Sequence, residues 1–126
     1  MDIQAELISI GNELLSGQTL NTHGRDLGEL LTELGLQLSR DTTITDDIPI
    51  IRSAVEEAFD RVDLVFVSGG LGPTTDDITR DALSELFGQK VIVDQSTVEH
   101  LKGWYEQRGR TMTIAATRQA QVLEKA

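Results

Sequence analysis

Residues 68–83 read SGGLGPTTDDITRDAL, with three glycines, a proline, two threonines and two adjacent aspartates between an apolar run and a helical pattern. Two chemistries fit that order. Gly69, Gly70 and Gly72 allow backbone conformations and a close approach that Cβ atoms would block. The helix expected to begin near Asp77 presents unpaired N–H groups and a partial positive charge, a place where phosphate binds readily. Asp76 and Asp77 offer hard oxygens to a divalent cation, which commonly takes one or two carboxylates plus phosphate oxygens. The plainer alternative is that Thr75, Asp76 or Asp77 only caps the helix. A Walker loop is excluded, because no G-x-x-x-x-G-K-[ST] occurs, and the segment is a poor dinucleotide fingerprint.

Two other segments carry similar residues. In GNELLSGQTLN (11–21), Asn12, Glu13, Ser16 and Asn21 can hydrogen-bond a ligand. Ser16-Gly17 equally suits a turn, and Asn21 or Thr22 a helix cap. In TDD (45–47), Asp46 and Asp47 stand at an expected helix start, where capping is the simpler role. His23 and His100 have no triad or metal-ligand spacing. Trp104 and Tyr105 fit helix packing, and Arg108, Arg110 and Arg118 fit a solvated surface.

These segments need a frame to bring them together. AELISIG (5–11) is a short apolar run ending in Gly, and it predicts a buried strand. Leu27, Leu30, Leu31 and Leu34 at helical spacing predict a helix over 21–35 that stops at Gly35. The alternating, Thr-rich LQLSRDTTIT (36–45) predicts a second strand. An acidic start, Pro49 near the first turn, and Ile51, Ala54, Val55, Ala58 and Phe59 on one face predict a helix over 46–61. DLVFVSGG (63–70) is the strongest strand. Ile78, Ala82, Leu83, Leu86 and Phe87 predict a helix ending at Gly88. KVIVD (90–94) predicts a short strand and 96–109 a helix, while 111–126 has no clear pattern.

Strands alternating with helices predict a three-layer α/β domain, a mainly parallel sheet with helices on both faces. Ligands in such folds bind at the carboxyl ends of the strands. Segments 11–21, 45–47 and 69–77 all fall at that end.

The chain has 126 residues, 39% hydrophobic and 4% aromatic, with a net charge of -10 and no cysteine. That length fits one domain, with a core of Leu, Ile, Val and Ala. The charge, with no Lys/Arg cluster, argues against duplex nucleic acid as a partner. Without cysteine there is no disulfide, thiolate metal site or Cys nucleophile. No stretch approaches the roughly 20 apolar residues of a membrane span, and MDIQAELISIG lacks the charge order of a signal peptide. A cytoplasmic protein is the expectation.

Taken together, AELISIGNELLSGQTLNTHGRDLGELLTELG, the TDD segment and LVFVSGGLGPTTDDITRDAL resemble the N-terminal domain of the CinA competence/damage-inducible family. More distantly they resemble the MoaB/MogA molybdopterin-binding fold. That resemblance implies the same three-layer α/β domain. It also implies a metal-dependent hydrolase acting on the pyrophosphate of ADP-ribose or a related nucleotide diphosphate, with Mg, Mn or Co. The alternative it implies is a molybdopterin-binding module without hydrolytic activity. Asp77 and Asp46 match two functionally important aspartates of MogA-like relatives, so the resemblance implies that they are the catalytic residues and hold the divalent cation, with Asp76 assisting as a metal ligand from the CinA-like pattern. Asn12, Glu13, Asn21, Gly69, Gly70, Gly72, Thr74 and Thr75 are expected to contact the phosphate-bearing ligand, ADP-ribose or molybdopterin. A homo-oligomer is implied as well.

The sequence departs from the family pattern at His23, where Asn is more common, and at AAT (115–117), which replaces an Asn-rich stretch. Family members also continue beyond RQAQVLEKA. The chain is therefore expected to be one domain, incomplete at its C-terminal end and without the C-terminal deamidase domain. A third expectation follows: the shortened cleft binds nothing well.

Overall fold

In the computed structural model, residues 2–126 are described. β1 (Gln4–Ile10), β2 (Gln37–Ile44) and β3 (Leu64–Ser68) form one sheet in the order β2-β1-β3. Both pairings are parallel. β1 is central and buried along nearly its whole length, which explains its continuous apolar reading. A register shift between Ala5 and Glu6 marks its pairing with β2.

Alternation along β1 divides the two faces. Ile8 and Ile10 pack with Ile51, Val55 and Ala58 of α3 (Ile48–Phe59) and Ala82 of α4 (Thr79–Phe87), backed by Val65 and Val67 of β3. The rings of Phe59 and Phe87 meet edge to face at 5.7 Å between the ends of these two helices. On the other face, Leu7 and Phe66 meet Leu27 and Leu30 of α2 (His23–Glu33) along an open groove of about 370 Å³. This is the expected three-layer arrangement. Ile51 is fully buried in the first layer. Ile51→Val is expected to lower unfolding free energy by about 1 kcal/mol, the usual cost of one buried methylene, as read by urea denaturation.

The remaining elements depart from the sequence expectations. Residues 12–15 form a short helix, α1 (Asn12–Leu15), inside a segment expected to be a loop. β4 (Val91–Val93) was expected to extend the strand–helix alternation. It pairs instead antiparallel with β5 (Gln121–Leu123), in a separate two-stranded ribbon. The physical reason lies in the patternless tail: α5 (Gln95–Gln107) and a 3₁₀ segment (Ala115–Ala120) bring Gln121–Leu123 back beside Val91–Val93. Glu6 also departs from the expectation for a buried strand residue. It is 2% exposed, and both its carboxylate oxygens accept from Arg61 at 2.8 Å, a bidentate pairing that satisfies the buried charge. That guanidinium, foremost through its hydrogen bonds, holds Glu6 below the ordinary carboxylate value.

No helix among the described residues is long and apolar enough to cross a membrane.

Candidate functional site

The three parallel strands end together at Ile10, Ile44 and Ser68. At that end the chain ties its loops to one another. Gly11 N–H donates to the Ile44 carbonyl at 3.0 Å. The Asn12 side-chain oxygen accepts from the Thr45 hydroxyl and from Asp46 N–H. Asp46 returns the bond, its carboxylate accepting from Asn12 N–H at 3.3 Å. The loop after β1 is thus latched to the loop after β2.

Helix capping divides the two aspartates of TDD. Asp47 is the N-cap of α3, accepting from Ile50 N–H at 3.1 Å, with Pro49 in the first turn. Asp46 makes no cap and borders a cavity of about 500 Å³, lined also by Asn12, Glu13, Gln18, Thr75, Asp76 and Ile78. The cap role that fits either aspartate by sequence thus falls to Asp47, and Asp46, its carboxylate bonded among the described residues only to Asn12 N–H through one oxygen, borders the cleft.

The glycine-rich loop distributes its parts differently from the sequence expectation. α4 begins at Thr79, two residues beyond Asp77. Its N-cap is Ile78, and no side chain caps it. Asp77 instead closes a turn on itself. One of its oxygens accepts from Thr74 N–H at 2.9 Å and from the Thr74 hydroxyl at 2.8 Å. This is a side-chain-to-backbone bond to the residue three positions back, closing the same turn in which Asp77 N–H donates to the Thr74 carbonyl at 3.2 Å. A Cβ on Gly72 would press against the Asp77 carboxylate, so Gly72 is the residue that lets this turn close. Burial pushes the Asp77 carboxyl up, but the Thr74 hydroxyl, the N–H groups of Thr74 and Gly72, and the Arg80 charge outweigh it and hold it below its ordinary value.

The sign of that shift gives a test. A depressed carboxylate stabilises the fold at neutral pH, and its contribution fades as pH falls below the ordinary aspartate value of 3.8. Unfolding free energy is therefore expected to decline between about pH 4 and pH 3. The decline should be shallower in Asp77→Asn, compared by urea titrations at the two pH values. An identical decline in the variant would show that Asp77 is not a structural carboxylate.

The expected site residues therefore fall into groups. Asn12, Glu13, Asp46, Thr75 and Asp76 share the 500 Å³ cavity. Asp77 and Thr74 are bound to each other beside it. Asn21 and Gly69 border a smaller pocket of about 140 Å³, which Glu13 also lines. Asn21 is partly committed to structure, donating to the Thr43 hydroxyl at 3.3 Å and accepting from His23 N–H. Gly70 is held by Thr79, whose N–H donates to the Gly70 carbonyl at 3.2 Å.

Sequence reasoning missed Gln18 and Ile78 in the large cavity, as well as the pairing of His23 with Ser68. His23, expected to stand alone, lies 2.6 Å from the Ser68 hydroxyl through Nδ1, and both border the small pocket. No local spacing signals that contact, because 45 residues separate the partners. Arg118 also corrects an expectation. It is half-buried and donates to the Asp77 carbonyl at 3.2 Å, not a solvated side chain.

The donor set of the large cavity consists of carboxylate, amide and hydroxyl oxygens, hard ligands of the kind magnesium and manganese prefer. Among the described residues, no three His, Cys, Asp or Glu side chains form a ready metal cluster. Such a set fits one cation that completes its shell with ligand phosphate and water, not a protein-built cage.

Comparison with known proteins identifies the family and the fold. Residues 6–124 match the family described as Probable molybdopterin binding domain. A CinA-like protein of Kosmotoga olearia is 40% identical over 98% of this chain, and one of Dictyoglomus thermophilum is 37% identical over 97%. The chain spans about 30% of the length of each. The crystal structure of CinA from Thermoplasma acidophilum superposes with a TM-score of 0.83 at 34% identity, over 96% of this chain and 71% of that one. MoaB from Thermus thermophilus shares the fold at 19% identity, with a TM-score of 0.65 over 96% of this chain and 79% of that one. The chain belongs to the molybdopterin-binding domain family, in its CinA-like branch.

Proposed function

We propose that this chain binds a phosphate-bearing small molecule of the molybdopterin kind in the cavity at the carboxyl ends of β1, β2 and β3. One observation carries this reading: Asn12, Asp46, Thr75 and Asp76 converge there from three separate segments of the chain. The N–H groups of Thr75 and Asp76 find no protein acceptor among the described residues, so they are available to phosphate oxygens. The ligand class comes from the relatives, whose family is described as a molybdopterin binding domain and whose fold neighbour MoaB is named a molybdopterin biosynthesis enzyme.

A second reading is hydrolysis of the pyrophosphate of ADP-ribose or a related nucleotide diphosphate. It is favoured by the chemistry of the cavity wall, where three carboxylates (Glu13, Asp46 and Asp76) stand with no lysine or arginine among the lining side chains. A polyanion cannot sit against such a wall without a counter-charge. In this reading Asp46 and Asp76 hold a divalent cation (Mg, Mn or Co), and the N–H groups of the 75–76 turn hold the phosphate oxygens as charge develops. When bound, the cation neutralises phosphate charge and acidifies a bound water. Asp77, engaged with Thr74, shapes the loop in both readings.

Calorimetry with AMP and with molybdopterin, each with and without Mg²⁺, tests the first reading. Binding of molybdopterin supports it, and no heat with either ligand sinks it. Incubation with ADP-ribose and Mg²⁺, Mn²⁺ or Co²⁺ tests the second. Release of AMP and ribose 5-phosphate supports it, and an intact substrate with all three metals rules it out for this chain.

A further inference from the structure

Behind the ligand loop lie two guanidinium groups that the cavity wall does not display. Arg80, on α4, is 8% exposed. It donates to the Leu71 carbonyl at 2.7 Å and to the Gly72 carbonyl at 3.1 Å. Arg118, on the 3₁₀ segment, reaches the Asp77 carbonyl from the far end of the chain. The Nε of each is buried and has no hydrogen-bond partner. Burial, and next the charge of Arg118, push the Arg80 guanidinium down from its ordinary value.

Neither group lies within 4.0 Å of a carboxylate among the described residues. The contrast with Arg61 is direct, since that guanidinium is neutralised by two bonds to Glu6. Two like charges near enough to repel, partly removed from water and hydrogen-bonded only to main-chain carbonyls, are costly. Asp77 and Asp81 offset the Arg80 charge only from beyond contact distance, and the Arg118 charge opposes it. The carbonyls they hold belong to the loop whose Thr75 and Asp76 face the cavity, so a ligand anion there lies across one layer of backbone from both.

We propose that Arg80 and Arg118 form a partly buried cationic pair that gives the 71–77 loop its preference for a doubly charged phosphate. This rests on the reading of the cavity as a phosphate-ligand site. It makes both arginines positioning residues: they turn the loop carbonyls inward and supply the positive potential that an acidic wall lacks. It also ties the C-terminal segment to ligand affinity, because Arg118 lies 41 residues from the carbonyl it holds.

Two substitutions separate charge from bracing. Arg118→Gln keeps an N–H donor for the Asp77 carbonyl and removes the charge, whereas Arg118→Lys keeps the charge. With pyrophosphate and AMP as probes in Mg²⁺, Arg118→Gln is expected to weaken binding about tenfold and Arg118→Lys by less than about threefold. Equal binding by Arg118→Gln and the unaltered chain overturns the proposal, as does an equal loss in both variants, which would leave only a bracing role. A measurement on the unaltered chain needs no variant to fold: AMP should bind at least about tenfold more tightly than its phosphate monomethyl ester, which carries one charge fewer. Equal affinities overturn the proposal. If the unaltered chain binds neither pyrophosphate nor AMP, the reading of the cavity fails first and the pair falls with it.

Discussion

Gly69→Ala is expected to be more damaging than any loss of a single core methylene. Gly69 follows β3 directly and has φ +95°, in the region that L side chains rarely adopt. Holding a residue with a Cβ in left-handed backbone costs about 1–2 kcal/mol. The new Cβ would also overlap the Ile10 carbonyl oxygen and crowd the Ile10 carbonyl carbon at 3.1 Å. Ile10 cannot step aside cheaply, because it closes the central strand, lies in the core and is paired in register with Ile44. Overpacking of this kind costs about 1–3 kcal/mol. Together they give about 2–5 kcal/mol, a large part of the roughly 5–15 kcal/mol typical of a small domain. Gly17 supplies the control, with φ +78° and nothing within 4 Å of the point a Cβ would occupy. Gly17→Ala should therefore lose only the conformational part. If urea denaturation gives the same loss for both variants, the close approach to Ile10 is not what requires glycine at 69.

Asp46→Asn and Asp76→Asn are expected to give the largest effects on ligand binding, and little effect on stability. Asp46 accepts one bond from Asn12 N–H, and an asparagine oxygen can accept it as well. Asp76 is exposed. Both substitutions keep the shape and remove a charge from the cavity wall. Each should leave unfolding free energy within about 0.5 kcal/mol, as for other surface changes. Each should weaken Mg²⁺-dependent AMP binding by about 10- to 100-fold, the range seen when groups around a metal are altered. Asp77→Asn should show the opposite profile, with stability falling by about 1 kcal/mol through loss of the carboxylate charge that Thr74, Gly72 and Arg80 stabilise and affinity falling less than in the other two. Unchanged AMP affinity in Asp46→Asn and Asp76→Asn would remove both from the site.

Much of the frame was legible in the sequence because its signals are local. The apolar run before Gly11, the leucine spacing over 27–34 and the Pro49 start each depend on residues a turn or two apart. The structure places elements there within one to three residues of expectation. The resemblance carried by GNELLSGQ and SGGLGPTTDD was equally legible, since short motifs keep their order whatever the chain does between them. The placing of three loops at one end of the sheet followed from strand–helix alternation alone.

The interior of the cleft was less legible. The opening segment offered one choice, a helix cap or a phosphate-and-metal loop. The structure removes the cap, since Asp77 folds onto Thr74 and no side chain caps α4. Contacts from outside the segment take part, because Arg80 and Arg118 hold the carbonyls of Leu71, Gly72 and Asp77. Arg118 comes from a tail with no periodicity at all.

By itself, the sequence determined the layers, the direction of the main sheet, the end of it where the three loops gather and the family to which the chain belongs. These follow from hydrophobic period and motif order, which act over a few residues. Only the tertiary structure decided that β4 leaves the sheet to pair with β5, that His23 meets Ser68, and that Asp46 and Asp76 face the cavity while Asp77 does not. Each of those outcomes joins residues far apart in the chain or involves contacts from outside the local segment. Packing supplies the deciding term, and no window along the sequence contains it.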